Sequence, residues 1–146
     1  MDSNEIKQIS SKEAFEEIKS NVGALLIDVR SELEWKKIGI PDLGDLNEHL
    51  VLLELQSMPS MEINQNFLAE LEETLRNRNV KNIMFMCKSG IRSQAAAVQS
   101  RSILLNAHES MKICNVLDGF EGKGFSIFGG TTSGWKNSGL PWKLIN

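Results

Sequence analysis

Two apolar runs, each followed by a segment of helical character, constrain the fold of this chain more than any other feature. The runs are ALLIDVR at residues 24–30 and VKNIMFMC at residues 80–87. Near-continuous apolar runs of this length are typical of strands that are buried on both faces. Strands that alternate with helices build a parallel sheet. The sequence therefore predicts an α/β domain with a mostly parallel central sheet flanked by helices.

The segments around these two runs carry their own signals. Ser10 and Glu13 predict a capping box at the start of the helix SKEAFEEIKS. A short helix, SELEWKKI, follows the first run, and IRSQAAAVQSRSILLNA follows the second as a longer one. The segment INQNFLAELEETLRNRN has apolar residues at helical spacing and is predicted to be an amphipathic helix. IKQIS and MKICNVLDGF are predicted to be further strands.

Composition and charge narrow the classes of protein that fit. The 146 residues contain no repeat, low-complexity tract or linker, which predicts one domain over residues 1–146. A net charge of -3 with scattered basic residues gives no support for a nucleic-acid or membrane partner. The polar start of the chain and the lack of a long apolar stretch predict a cytoplasmic protein. Its two cysteines are then expected to be free thiols.

The loop CKSGIRS, residues 87–93, joins the second apolar run to the helix after it. The strand would deliver Cys87 to the carboxyl edge of the sheet, where open α/β folds place their ligands. Gly90 allows a tight turn of inward-facing amides, and the helix directs its positive end to the same place. Lys88 and Arg92 add positive charge. Such surroundings favour a reactive thiolate, so Cys87 is predicted to be a nucleophile rather than a small core residue.

The spacing of the loop bears on which chemistry it performs. Tyrosine-phosphatase-like and arsenate-reductase-like loops resemble Cys-x5-Arg, whereas four residues separate Cys87 from Arg92. The shorter ring of amides suits one sulfur atom carried on the cysteine better than a bound phosphate. Asp28 is expected at the same sheet edge, either paired with Arg92 or placed as a carboxylate at a helix start. Cys114 lacks such a setting and is assigned to the core.

The same segments resemble those of single-domain rhodaneses, which are thiosulfate sulfurtransferase-like proteins. CKSGIRS resembles the active loop of that family, and LIDVRSELEW resembles its early D-V-R-x-x-x-E-[WFY] segment. NVLDGFEGKG and GWKNSGLPW resemble its later elements, so the resemblance runs from about residue 24 to residue 142. It implies a three-layer rhodanese-like fold and a sulfur-transfer cycle through a Cys87 persulfide. The implied anion-binding residues are Lys88, Ser89, Gly90, Ile91, Arg92 and Ser93.

The resemblance also implies the partners of the reaction. The donor would be a small sulfur-containing anion such as thiosulfate, and the acceptor cyanide, a thiol or a protein thiol. No metal or organic cofactor is needed, and the scattered His and Cys residues give no metal-ligand spacing. Phosphatase or arsenate reductase activity and a non-catalytic rhodanese-like interaction module are the alternatives. The Gly-rich stretch at 121–134 is expected to be a mobile loop rather than a part of the active-site mouth or a partner surface.

Overall fold

The computed structural model describes residues 5–122 and 133–145, so most of the Gly-rich stretch lies outside the described residues. Its helices are α1 (Ser11–Ser20), α2 (Glu32–Ile38), α3 (Phe67–Leu75) and α4 (Ile91–Ala107). Its strands are β1 (Lys7–Ile9), β2 (Ala24–Asp28), β3 (Ile40–Pro41), β4 (Leu50–Leu52), β5 (Asn82–Met86), β6 (Lys112–Val116) and β7 (Trp142–Lys143). Short 3₁₀ segments span Gly44–His49 and Lys136–Ser138.

Five strands form one sheet in the order β1-β6-β5-β2-β4, and every neighbouring pair is parallel. The predicted parallel sheet is therefore confirmed. Since all five strands run in one direction, β2, β5 and β6 end at the same edge. Ligand-binding loops of open α/β sheets follow the carboxyl ends of the strands, which lie at that edge.

Helices cover both faces of this sheet, as the apolar character of its strands requires. Leu25 and Ile27 of β2 pack in the cluster that contains Leu71 of α3 and Leu104 of α4. The alternate residues Ala24 and Leu26 pack on the opposite face in the cluster that contains Ile18 of α1. Because successive side chains of a strand point to opposite faces, one five-residue strand serves both cores. The result is the three-layer architecture that the resemblance implied.

Local signals placed several elements correctly. The predicted capping box is present at α1, where Ser10 Oγ accepts from the Glu13 amide and the Glu13 carboxylate accepts from the Ser10 amide. A second capping box, which was not predicted, joins Ser31 and Glu34 at α2. The antiparallel pair β3–β7 was also not predicted. None of the described helices is both long and apolar enough to cross a membrane.

Candidate active site

Cys87 directly follows β5, the central strand of the sheet, and is only 1% exposed. Its sulfur lies 3.1 Å from the Gly90 amide nitrogen and 3.2 Å from the Ser93 hydroxyl oxygen. Both groups can donate a hydrogen bond to a sulfur anion. The predicted strand–loop–helix context is therefore confirmed, and it brings Cys87, Gly90 and Ser93 together.

The N-terminus of α4 lies at this sulfur. Gly90 is the N-cap of the helix and has a φ of 96°, in the left-handed region that favours glycine. A Cβ on Gly90 would lie 2.3 Å from the Leu117 carbonyl oxygen, so only glycine fits the contact. The 17-residue helix that starts at Ile91 directs the positive end of its dipole towards Cys87.

The turn that follows β6 supports the loop from behind. The Phe120 amide donates to the Cys87 carbonyl at 2.8 Å, and the Glu121 amide donates to the Lys88 carbonyl at 3.0 Å. Gly119 has a φ of 63°, and a Cβ there would lie 2.4 Å from the Lys88 carbonyl oxygen. Cys87 is thus held where two backbone segments pack in direct contact.

Arg92 already has a partner at this site. Its guanidinium makes two hydrogen bonds to the Glu34 carboxylate, at 2.7 and 2.9 Å. Burial raises the pKa of Glu34, but the hydrogen bonds from Arg92 and Ser31 and the charge of Arg92 outweigh it and lower that pKa to about 2. The hydrogen bonds to Glu34 in turn raise the pKa of Arg92. Arg92 therefore forms an ion pair with Glu34 and is not a free positive charge of the loop.

The expected pairing of Asp28 with Arg92 is wrong. Asp28 is fully buried and forms its ion pair with Arg30, whose Nη2 lies 2.6 Å from Asp28 Oδ2. The capping residue of α2 is Ser31, so the alternative role of Asp28 as a carboxylate at a helix start is also not observed. Sequence proximity explains the result, because residues two apart at a strand end can fold back on each other. The Arg30 guanidinium lies 4.0 Å from the centre of the Phe120 ring, so Asp28 supports the turn behind Cys87 through Arg30.

The remaining predicted loop residues differ in exposure. Lys88 is exposed, Ser89 is intermediate, and Ile91 is 79% exposed. Lys88 is therefore the cationic side chain of this loop that faces solvent. Cys114 is fully buried, and its pKa is raised by that burial, in agreement with its assignment to the core. Both cysteines are free thiols, as expected.

Three contributors to the site were missed from sequence. Glu34 holds Arg92, Phe120 holds the Cys87 carbonyl, and Asn115 lies 2.6 Å from the Ser93 hydroxyl. Glu34 belongs to the quoted LIDVRSELEW segment and Phe120 to NVLDGFEGKG. These segments indicated both regions of the chain but not the contacts that Glu34 and Phe120 make. Across residues 5–122 and 133–145, no cluster of three or more His, Cys, Asp or Glu side chains could hold a metal ion.

Comparisons with known proteins agree with this geometry. Residues 11–136 match the family model described as a rhodanese-like domain. The uncharacterised protein RP600 of Rickettsia prowazekii is 33% identical over 140 residues, which cover 95% of this chain and 98% of the relative. The crystal structure of Rv0390 from M. tuberculosis has a TM-score of 0.74 and 35% identity, and the match covers 95% of this chain and 98% of that one.

A second solved structure shares the fold at lower identity. It is the polysulfide-sulfur transferase homodimer from Wolinella succinogenes, with a TM-score of 0.53 and 18% identity. The match covers 97% of this chain and 80% of that one. At this identity the likeness supports the architecture alone.

Proposed function

The chain belongs to the rhodanese-like domain family, and we propose that it is a sulfurtransferase in which Cys87 carries the transferred sulfur. The observation that carries the proposal is the position of the Cys87 sulfur. It lies at the N-terminus of a 17-residue helix, with the Gly90 amide and the Ser93 hydroxyl as donors. A fixed set of donors around a buried sulfur stabilises an anion on that atom.

In the first step, the Cys87 thiolate attacks the outer sulfur of a donor such as thiosulfate. A sulfur–sulfur bond forms to Cys87, the bond inside the donor breaks, and sulfite leaves with the electron pair. Cys87 is then an anionic persulfide, one of the reversible states of cysteine. The Gly90 amide, 3.1 Å from the Cys87 sulfur, supports a role for the backbone amides of Lys88 to Ser93 in stabilising the outer sulfur of that anion.

In the second step, a nucleophilic acceptor attacks the outer sulfur of the persulfide. Cyanide leaves as thiocyanate, or an acceptor thiolate leaves as a persulfide, and the Cys87 thiolate is regenerated. No net oxidation occurs over the cycle. A reducing compartment such as the cytoplasm suits a protein that works with free thiols.

The exposed Lys88 is the residue that we assign to attracting the anionic donor. Its charge faces solvent at the loop, whereas Arg92 is engaged by Glu34. The spacing of the loop counts against a phosphatase or arsenate reductase, because four residues separate Cys87 from Arg92 whereas the loops of those enzymes resemble Cys-x5-Arg.

The proposal is tested by intact-protein mass spectrometry after incubation with thiosulfate in the absence of reductant. We expect the wild type to gain the mass of one sulfur atom and to lose it on addition of cyanide, with release of thiocyanate. Cys87→Ser should gain nothing, and Cys114→Ser, the matched control at the other cysteine, should behave as the wild type.

Two results would count against the proposal. The first is a sulfur gain that persists in Cys87→Ser. The second is no gain with thiosulfate, polysulfide or any persulfide donor, together with turnover of a chromogenic phosphate ester that requires Cys87. The second result would favour the phosphatase alternative.

A further inference from the structure

The Ser93 hydroxyl lies between two acceptors. Its oxygen is 2.6 Å from Asn115 Oδ1 and 3.2 Å from the Cys87 sulfur, and all three residues are buried. A hydroxyl has one proton to donate. At any moment Ser93 can therefore donate to the amide oxygen of Asn115 or to the sulfur, but not to both.

The orientation of the Asn115 amide is fixed by its other contacts. Its Nδ2 donates to the Gly90 carbonyl at 3.1 Å and to Gln8 Oε1 at 2.8 Å. Gln8 in turn donates from Nε2 to Gln94 Oε1 at 2.7 Å. Because both partners of Nδ2 are acceptors, the nitrogen must face them, and the oxygen must face Ser93.

The state of Cys87 decides which acceptor needs the proton. A protonated thiol can itself donate to Ser93 Oγ, and the hydroxyl proton then goes to Asn115. A thiolate or a persulfide anion has no proton and needs a donor. If Ser93 turns to the sulfur, Asn115 Oδ1 is left buried without its partner, which is unfavourable.

We propose that Asn115 is a positioning residue that competes with the Cys87 sulfur for the Ser93 proton. Through this competition it opposes ionisation of Cys87 and restrains its reactivity between turnovers. The inference rests on the proposed role of Cys87 as nucleophile. It adds a residue from β6, 28 positions along the chain from Cys87, that acts through Ser93 without touching the reacting sulfur.

Asn115 also has a second contact, through which it would have a purely structural effect on the loop. Its bond to the Gly90 carbonyl helps to hold the peptide whose neighbouring amide donates to the sulfur. Removal of Asn115 could disturb the loop through this contact without involving Ser93. A test must therefore separate the path through Ser93 from the path through Gly90.

A double-mutant cycle on the alkylation of Cys87 makes that separation. The rate of iodoacetamide alkylation, measured against pH by peptide mass spectrometry, reports the pH at which Cys87 ionises. We expect Asn115→Leu to shift the midpoint of this profile to lower pH by about one unit, the size of one hydrogen bond, since Ser93 then donates to the sulfur. Ser93→Ala should shift it to higher pH, and the double variant should match Ser93→Ala.

Controls keep the test interpretable. Gln94→Ala removes the outer end of the amide chain and should leave the profile unchanged. Asn115→Ala removes the same acceptor with a smaller side chain and replaces Asn115→Leu if the larger residue prevents folding, as judged by circular dichroism. Alkylation needs no sulfur donor, so a protein that fails to accept sulfur from any donor still gives a result here.

The proposal is overturned by any of three outcomes. The midpoint does not move in Asn115→Leu or Asn115→Ala, it moves to higher pH, or it moves by the same amount in the Ser93→Ala background. The last outcome would show that Asn115 acts through the Gly90 contact. The expected outcome is a shift to lower pH that disappears when Ser93 is absent.

Discussion

Glu34 joins two parts of the site through one carboxylate. It accepts hydrogen bonds from the Ser31 amide and hydroxyl at the start of α2, and from the Arg92 guanidinium in the first turn of α4. Its side chain is 14% exposed, so this charge is held mostly out of water. The cap of one helix and the orientation of the loop that contains Cys87 therefore depend on the same ionised group.

The stability of the protein should depend on the ionisation of Glu34. Its pKa of about 2 lies below the ordinary value of 4.5, so the unfolded state binds more protons between these values and stability rises with pH. The stabilisation, about 3 kcal/mol, is fully present above the unfolded pKa and is lost as the pH falls through the folded pKa. Urea unfolding of the wild type from neutral pH to about pH 3 measures the part that is lost above pH 3, about 2 kcal/mol.

Glu34→Gln should lower the free energy of unfolding at neutral pH and flatten its decline in acid. Glu32→Gln is the matched control, because Glu32 lies on the same helix with an exposed ion pair to Lys36. Exposed pairs of this kind contribute little, so this variant should keep the pH dependence of the wild type. An equal decline in Glu34→Gln and wild type would contradict the assignment.

At the level of residues, the sequence predicts contacts within one short segment and misses contacts between residues that are far apart in the chain. Cys87, Gly90 and Ser93 lie in one short segment, and strand–loop–helix geometry brings them together. Glu34 is 58 positions from Arg92, and Asn115 is 22 positions from Ser93. Such pairs depend on which strands are neighbours, which local patterns do not encode. The Asp28–Arg92 prediction was wrong for a different reason, because Arg30, only two residues along the chain, takes the Asp28 carboxylate.

At the level of elements, the close packing of two turns determines the shape of the loop that contains Cys87. The turn after β6 meets the loop after β5 at Gly119, where a Cβ would overlap the Lys88 backbone. Gly44 has a similar φ, 56° against 63°, but nothing lies within 4 Å of its Cβ position. The two glycines share a conformation and differ in their surroundings.

Gly119→Ala should therefore cost much more stability than Gly44→Ala. Both variants force alanine into the left-handed region, at about 1–2 kcal/mol. Gly119→Ala must also displace the Lys88 backbone, which adds about 1–3 kcal/mol. Urea unfolding measures the difference, and thiosulfate-dependent sulfur gain should fall only in Gly119→Ala. Equal losses of stability would show that the contact between the two turns is not tight.

The elements themselves were predictable to different degrees. The buried strands are near-continuous apolar runs, α3 has apolar residues at helical spacing, and Ser10 with Glu13 marks the start of α1. The two-residue strands β3 and β7 are too short to carry a pattern of their own. They pair because Gly39 lets the Trp142 ring approach closely, a contact between distant segments. The three-residue β4 is likewise visible only as part of a longer apolar run.

At the level of the whole molecule, alkylation of the two cysteines should depend on different opening motions of the protein. Cys114 lies in β6 between β1 and β5, is fully buried, and has a raised pKa because of that burial. Thiolate is the form that reacts, so Cys114 should be alkylated only when the sheet opens. Cys87 is also buried, at 1% exposure, but it lies in the loop at the sheet edge rather than inside a strand, so its alkylation requires only a fast local opening of that loop.

Timed alkylation with iodoacetamide at increasing urea concentration checks this difference. In Cys87→Ser, labelling of Cys114 should be slow without denaturant and should rise in parallel with global unfolding. In Cys114→Ser, labelling of Cys87 should be fast throughout. Comparable rates for the two thiols without urea would contradict the packing of β6.

The parallel architecture was predictable because the buried runs alternate with helices, but the strand order was not. β1, the first strand in the chain, pairs with β6, which comes more than a hundred residues later. Nothing in a local window of sequence distinguishes this neighbour from another. The order is fixed by how the helices cover both faces, which is a property of the complete domain.

The pairing of β1 with β6 also determines when the central sheet can form during synthesis of the protein. Lys7 is opposite Cys114 and Ile9 is opposite Val116, so the first strand has no partner until nearly the whole domain has left the ribosome. The Ser11 contacts to Asp118 and Gly119 wait for the same moment. A nascent chain stalled before β6 therefore contains Cys87 but lacks Asn115 and the turn that supports the loop. The surroundings of the Cys87 thiol can therefore form only after β6 and the turn that follows it have been translated.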